Sequence, residues 1–134
     1  DTVLKGKSLF KSMKCNSCHT ETFTTSNNYP ANKTLQNITI RPFSDFLLHD
    51  MGDALADNRP DFKATGKEWR TQPLWGIGLI NDVNNHTFLL HDGRARNIEE
   101  AILWHGGEAK NSKEKYINLI KEDRTAVLAF INSL

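Results

Sequence analysis

The chain has 134 residues, with 17 Lys and Arg against 16 Asp and Glu and a formal net charge of +1. A chain of this size is expected to form one domain, residues 1–134, around a single core. The near-neutral, interspersed charge excludes the basic stripe of a nucleic-acid binder, and the longest apolar runs, such as Leu74 to Ile80, are far too short to span a membrane.

In chain order, Thr2 to Lys14 reads as a helix, because Val3, Leu4, Leu9, Phe10 and Met13 fall near helical spacing. Gly6 and Phe10 share one face, where a glycine lets a second helix approach closely. Next comes Cys15-Asn16-Ser17-Cys18-His19. Two cysteines three apart, followed at once by histidine, form the attachment signature of a c-type haem, in which both sulfurs bond the porphyrin edge and the imidazole ligates iron. On a helical turn these two cysteines share a face, and the next residue swings under the metal. A zinc site would need a second ligand pair, and there are no further cysteines. A redox Cys-x-x-Cys pair would want a surrounding strand-helix-strand pattern, which is missing. One covalent haem c is therefore expected on Cys15, Cys18 and His19, with His19 as proximal iron ligand. Thioether attachment takes place outside the cytoplasm, so a periplasmic or other extracytoplasmic location is expected. The start at Asp1 without a charged-then-apolar leader reads as a mature protein or an excised domain.

Thr20 to Gln36 is polar and poorly periodic, and reads as a loop around the haem edge. In Ile38 to Asp57, Pro42 is predicted to start a helix carrying Phe43, Phe46, Leu47 and Met51, broken at Gly52. His49 and Met51 are the first candidate distal ligands, since imidazole and thioether both bind haem iron. Equally, Met51 packs as a flexible apolar residue and His49 makes a structural hydrogen bond. After a polar connection, Trp69 and Trp75 flank Arg70 in a segment that suits a cofactor-pocket edge. There the guanidinium pairs with a haem propionate, or else Arg70 stacks on an aromatic corner. Asn97 looks like an N-cap with Glu99 and Glu100 in the first turn, and the helix Ile98 to His105 stops at Gly106-Gly107. His105 thus ends a helix just before a turn, a suitable place for a ligand. Helices are predicted over Glu108 to Ile120 and Glu122 to Leu134, the last crossing the first near Gly6 and Phe10 through Phe130. Strand content is expected to be minimal.

The segments LLHDMG (47–52), EWRTQPLWGIG (68–78), LLHDGRARNIEEAILWHGGEA (89–109) and AFINSL (129–134) resemble the second-haem, C-terminal cytochrome c domain of the bacterial di-haem oxidoreductases, called peroxidases or thiol oxidoreductases. That group is similar in turn to the di-haem cytochrome c peroxidases. The resemblance implies an all-α, class I cytochrome c-like fold, with N- and C-terminal helices crossing around one haem and long loops between them. It also implies a periplasmic redox role. By the position that matches the peroxidases, His105 ranks first as distal ligand and Met51 second, with His49 and His91 behind. The family carries two haems and this sequence one CxxCH, so the chain reads either as one half of such a protein or as a single-haem relative. The leading expectation is an electron-transfer domain of a di-haem oxidoreductase, served by a redox partner protein or a second haem domain. The alternatives are a peroxidase-like enzyme with an open or displaceable distal site, in which His49, His91 or Arg94 would be catalytic, and a haem-bearing docking module. Thr71-Gln72-Pro73 resembles a segment the peroxidases use at an interdomain calcium, so calcium is expected only together with the partner domain.

Overall fold

The first and last helices of the chain pack against each other in a computed structural model that describes residues 1–134. Helix α1 (Thr2–Ser12) begins at Asp1, whose carboxylate accepts the Val3 N–H at 3.1 Å and so satisfies a backbone donor that the first turn leaves free. Helix α5 (Lys121–Asn132) presents Ala126, Val127, Phe130 and Ile131 as its buried stripe. The two backbones meet at Gly6, where a Cβ would stand 1.9 Å from the carbonyl oxygen of Ala126. One turn on, Phe10 meets Phe130 edge to face with ring centroids 5.4 Å apart. Met13, Phe43, Tyr116, Val127 and Ile131 complete this core, each worth about 1.5–3 kcal/mol for a full-sized apolar side chain taken from water.

Three further helices frame it: α2 (Ile80–Asn84), α3 (Ile98–Trp104) and α4 (Lys110–Ile117). Asn97 caps α3 by accepting the Glu100 N–H at 2.8 Å. The buried Tyr116 of α4 donates its hydroxyl to Glu99 of α3 at 3.0 Å, tying the two helices together. No helix is long and apolar enough to cross a membrane.

The expectation of an all-α, class I cytochrome c-like fold is overturned, because the chain is mixed. Strand β1 (Phe23–Thr24) pairs antiparallel with β2 (Thr39–Ile40), and β3 (Leu48–Asp50) pairs antiparallel with β4 (Glu68–Arg70), with His49 opposite Trp69. The helix expected from Pro42 is absent, and local chemistry explains why. The Ser44 hydroxyl accepts the Phe46 N–H and the Asp45 carboxylate accepts the Leu47 N–H, both at 2.9 Å, giving the backbone an alternative to helical bonding. Phe43 and Phe46 take left-handed backbones, with φ of 51° and 61°, and the chain then runs straight into β3.

Candidate haem-binding site

Lys14, with φ of 71°, ends α1 and turns the chain into a single 3-10 turn over Cys15–Ser17. The His19 N–H bonds back to the Cys15 carbonyl at 3.0 Å, so both cysteines and the histidine lie on one tight bend. Both thiols are free. Burial pushes the Cys15 thiol up to about 11, and it raises Cys18 as well, helped by the negative charges of Asp45 and Glu108. Neither is the acidic, thiolate-forming cysteine that a disulfide-exchanging Cys-x-x-Cys pair needs.

His19 donates from Nδ1 to the Phe43 carbonyl at 2.9 Å, which fixes its tautomer and leaves Nε2 as a bare lone pair. Burial lowers this imidazole to about 4, partly offset by the bond to Phe43, so the ring is neutral at pH 7. His105, the residue that closes α3, repeats the pattern. Its Nδ1 bonds the Ala101 carbonyl one turn back at 2.7 Å, and burial again lowers its pKa. Two neutral imidazoles with the same tautomer are thus each held by a backbone carbonyl.

Met51 lies beside this corner. Its N–H donates to the Lys67 carbonyl at 2.9 Å, and its own carbonyl oxygen would be 2.7 Å from a Cβ at Gly106. At Gly107, where φ is +48°, a Cβ would stand 2.0 Å from the Asp50 carbonyl. Only glycine permits this approach, which brings residues 50–52 and 105–107 backbone to backbone. The two ranked distal candidates, His105 and Met51, therefore sit on touching segments.

His49 is engaged at both ends. Nδ1 lies 2.9 Å from Glu108 Oε2 and Nε2 lies 2.8 Å from Asp45 Oδ2, so a ring with both nitrogens given to carboxylates has no lone pair for iron. The Glu108 bond, with help from Asp45, raises the His49 pKa against the opposing effect of its burial. Glu108 is lowered in return, first by that same bond and then by the Asp50 N–H, which it accepts at 3.0 Å. Burial pushes Asp45 up, but its bonds from the Leu47 N–H and His49 outweigh this and hold it below the usual carboxylate range. The Cys18 sulfur, an Asp45 oxygen and a His49 nitrogen lie within 4.8 Å of one another, so this ion pair borders the turn that carries the two cysteines.

His91 and Arg94 are each held by partners of their own. The His91 ring stacks on Trp69 with centroids 3.6 Å apart and planes 11° from parallel, and Trp69 Nε1 donates to the Leu55 carbonyl at 3.0 Å. Arg94 bonds Asp92 at 2.7 Å and the Ala54 carbonyl, and lies over Trp104 at 4.9 Å. Arg70 is exposed, with a 3.4 Å bond to Gln72, and Trp75 is half exposed. The cation-aromatic contact is thus made by Arg94, with Arg70 left facing solvent. Sequence reasoning missed Asp45, Glu108 and the Phe43 carbonyl. Only the acid four residues before His49 was open to detection, and no helix is there to bring it round.

A covalently held haem fits these donors: two reduced thiols one turn apart, with neutral imidazoles whose Nε2 atoms are unbonded. Close in sequence to His19 and Phe43, the exposed rings of Phe23 and Phe46, 6.0 Å apart, offer apolar surface for a flat macrocycle to cover. Comparison with known protein families matches residues 1–134 to the family described as "Di-haem oxidoreductase, putative peroxidase". No curated protein and no solved structure matches the chain.

Proposed function

Because the chain belongs to the di-haem oxidoreductase family, we propose that it holds one covalent haem c and passes single electrons, outside the cytoplasm, to or from a second haem or a redox partner protein. The observation that carries this reading is the matched pair of imidazoles, His19 and His105, each with Nδ1 bonded to a backbone carbonyl and Nε2 unbonded. In this reading Cys15 and Cys18 anchor the porphyrin edge, His19 is the proximal ligand and His105 the distal one. The bound iron supplies reversible one-electron chemistry.

The protein's own part is positional. The Phe43 and Ala101 carbonyls orient the two rings and raise their basicity toward a metal, as outer partners of ligating histidines do. Because each ring is already fixed by its carbonyl, the two histidines would hold the iron with little rearrangement of the protein. The family carries two haems and these residues contain one CxxCH, so the proposed partner is the second haem, wherever it is carried. Arg70, exposed and free of any carboxylate, is the proposed propionate partner, and the half-exposed Trp75 is proposed as a second haem-binding residue.

The test is the visible and near-infrared spectrum of the haem-loaded protein. His105→Ala is expected to convert a low-spin spectrum to high-spin, whereas Met51→Ala leaves it low-spin and without a sulfur-to-iron band. An unchanged spectrum in His105→Ala would remove His105 as ligand. A high-spin spectrum in the unaltered protein would instead favour the peroxidase-like reading that the family description contains.

A further inference from the structure

We propose that Asp45, His49 and Glu108 form a positioning clamp that holds the His105 loop in register with the segment orienting His19. The inference rests on the reading of His105 as distal ligand and assigns a role to three residues that reading leaves unused.

The three residues come from separate segments. Asp45 follows Phe43 by two positions, so it moves with the carbonyl that orients His19, and buried Ser44 between them is pinned by its bond to the Thr71 carbonyl at 2.7 Å. His49 lies on β3. Glu108 follows His105 by three positions, across Gly106 and Gly107, whose close approach to Met51 and Asp50 leaves no room for side chains. With no side chains of their own, the glycines cannot anchor the loop, and Glu108 is the first residue past them able to do so. Glu108 grips β3 twice, through Oε2 to His49 Nδ1 and through Oε1 to the Asp50 N–H. His49 then carries the connection on to Asp45 at 2.8 Å.

A histidine suits this place because its two nitrogens face opposite ways, so one side chain spans two carboxylates. Bonds between charged partners are about twice as strong as neutral ones, so the bridge is stiff as well as continuous. None of the three touches the iron in this scheme; they act through His105 and are positioning residues. Cutting the clamp leaves haem attached at Cys15, Cys18 and His19 but lets the distal loop lift away more readily.

The experiment is the rate at which cyanide displaces the sixth ligand of the oxidised, haem-loaded chain. It is read in stopped flow alongside the low-spin fraction, with circular dichroism to report folding. His49→Gln and Glu108→Ala are each expected to speed displacement roughly tenfold or more, equivalent to about 1.4 kcal/mol off its barrier. The double variant should be no faster than Glu108→Ala alone, since Glu108→Ala already cuts the bridge to His49 together with the bond to the Asp50 N–H. Glu108→Gln keeps an acceptor for the Asp50 N–H and should fall between, which keeps the test open if Glu108→Ala fails to fold. Lys110→Ala, an exposed change two residues on, serves as the control. If the single variants react at the unaltered rate while His105→Ala reacts faster, the clamp is wrong and the ligand reading stands. If His105→Ala leaves both the low-spin spectrum and the cyanide rate unchanged, the ligand reading fails, and the clamp with it.

Discussion

His19 donates from Nδ1 to the Phe43 carbonyl across 2.9 Å, and Phe43 aims that carbonyl from a left-handed backbone with φ of 51°. A bulky residue held in that region costs of order 1–3 kcal/mol, so the surroundings must over-determine it. Phe43 is buried against Phe130 with centroids 5.8 Å apart, and Ser44 beside it is fully buried with its hydroxyl bonded in two directions.

Ser44→Ala removes the donor to the buried Thr71 carbonyl and the acceptor for the Phe46 N–H. Leaving such groups unpaired costs about 1–3 kcal/mol each. Chemical denaturation should show a lower midpoint with unchanged slope, and the proposed ligation by His19 predicts a spectral shift in the haem-loaded protein as the Phe43 carbonyl loses its fixed position.

Gly6→Ala places a methyl where the Ala126 carbonyl oxygen already lies 1.9 Å away. α1 and α5 must separate, and overpacking of this kind costs about 1–3 kcal/mol. A fall of several degrees in Tm is expected, measured by a thermal scan.

The clamp predicts a specific pH profile. The His49 pKa is raised above 6.5, so its contribution is fully present below that value and is lost as pH rises through the raised pKa. Asp45 and Glu108 are lowered, so theirs is present above ordinary carboxylate values and lost only as pH falls through the lowered ones. Tm should hold a plateau between these limits and decline on the alkaline side of 6.5. In His49→Gln the alkaline decline should be reduced by the His49 share, measured by thermal scans across a pH series.

Trp69→Phe keeps an aromatic face for His91 but deletes the Nε1 bond to the Leu55 carbonyl. The expected loss is about 1–3 kcal/mol, the cost of an unsatisfied carbonyl in a partly buried corner. Urea denaturation checks it, and a midpoint unchanged from the parent would place that carbonyl in contact with water.

Features built from neighbouring residues are legible along the chain. The cysteines three apart with histidine next, the Asn97 cap and the apolar stripe of α5 all follow from turn geometry and local bonding, which any stretch of sequence carries within itself. Tertiary structure decided the rest. Pro42 to Met51 has the apolar spacing of a helix, yet its Ser and Asp side chains take the backbone N–H groups a helix would use, and β4 supplies a strand partner from some twenty residues away. Which arginine stacks on a tryptophan, Arg94 and not Arg70, depends on how two loops meet. His49 read alone is equally a ligand, a base or a structural residue. Glu108, 59 positions further on, occupies its second nitrogen, because a hydrogen bond is short in space whatever its separation along the chain.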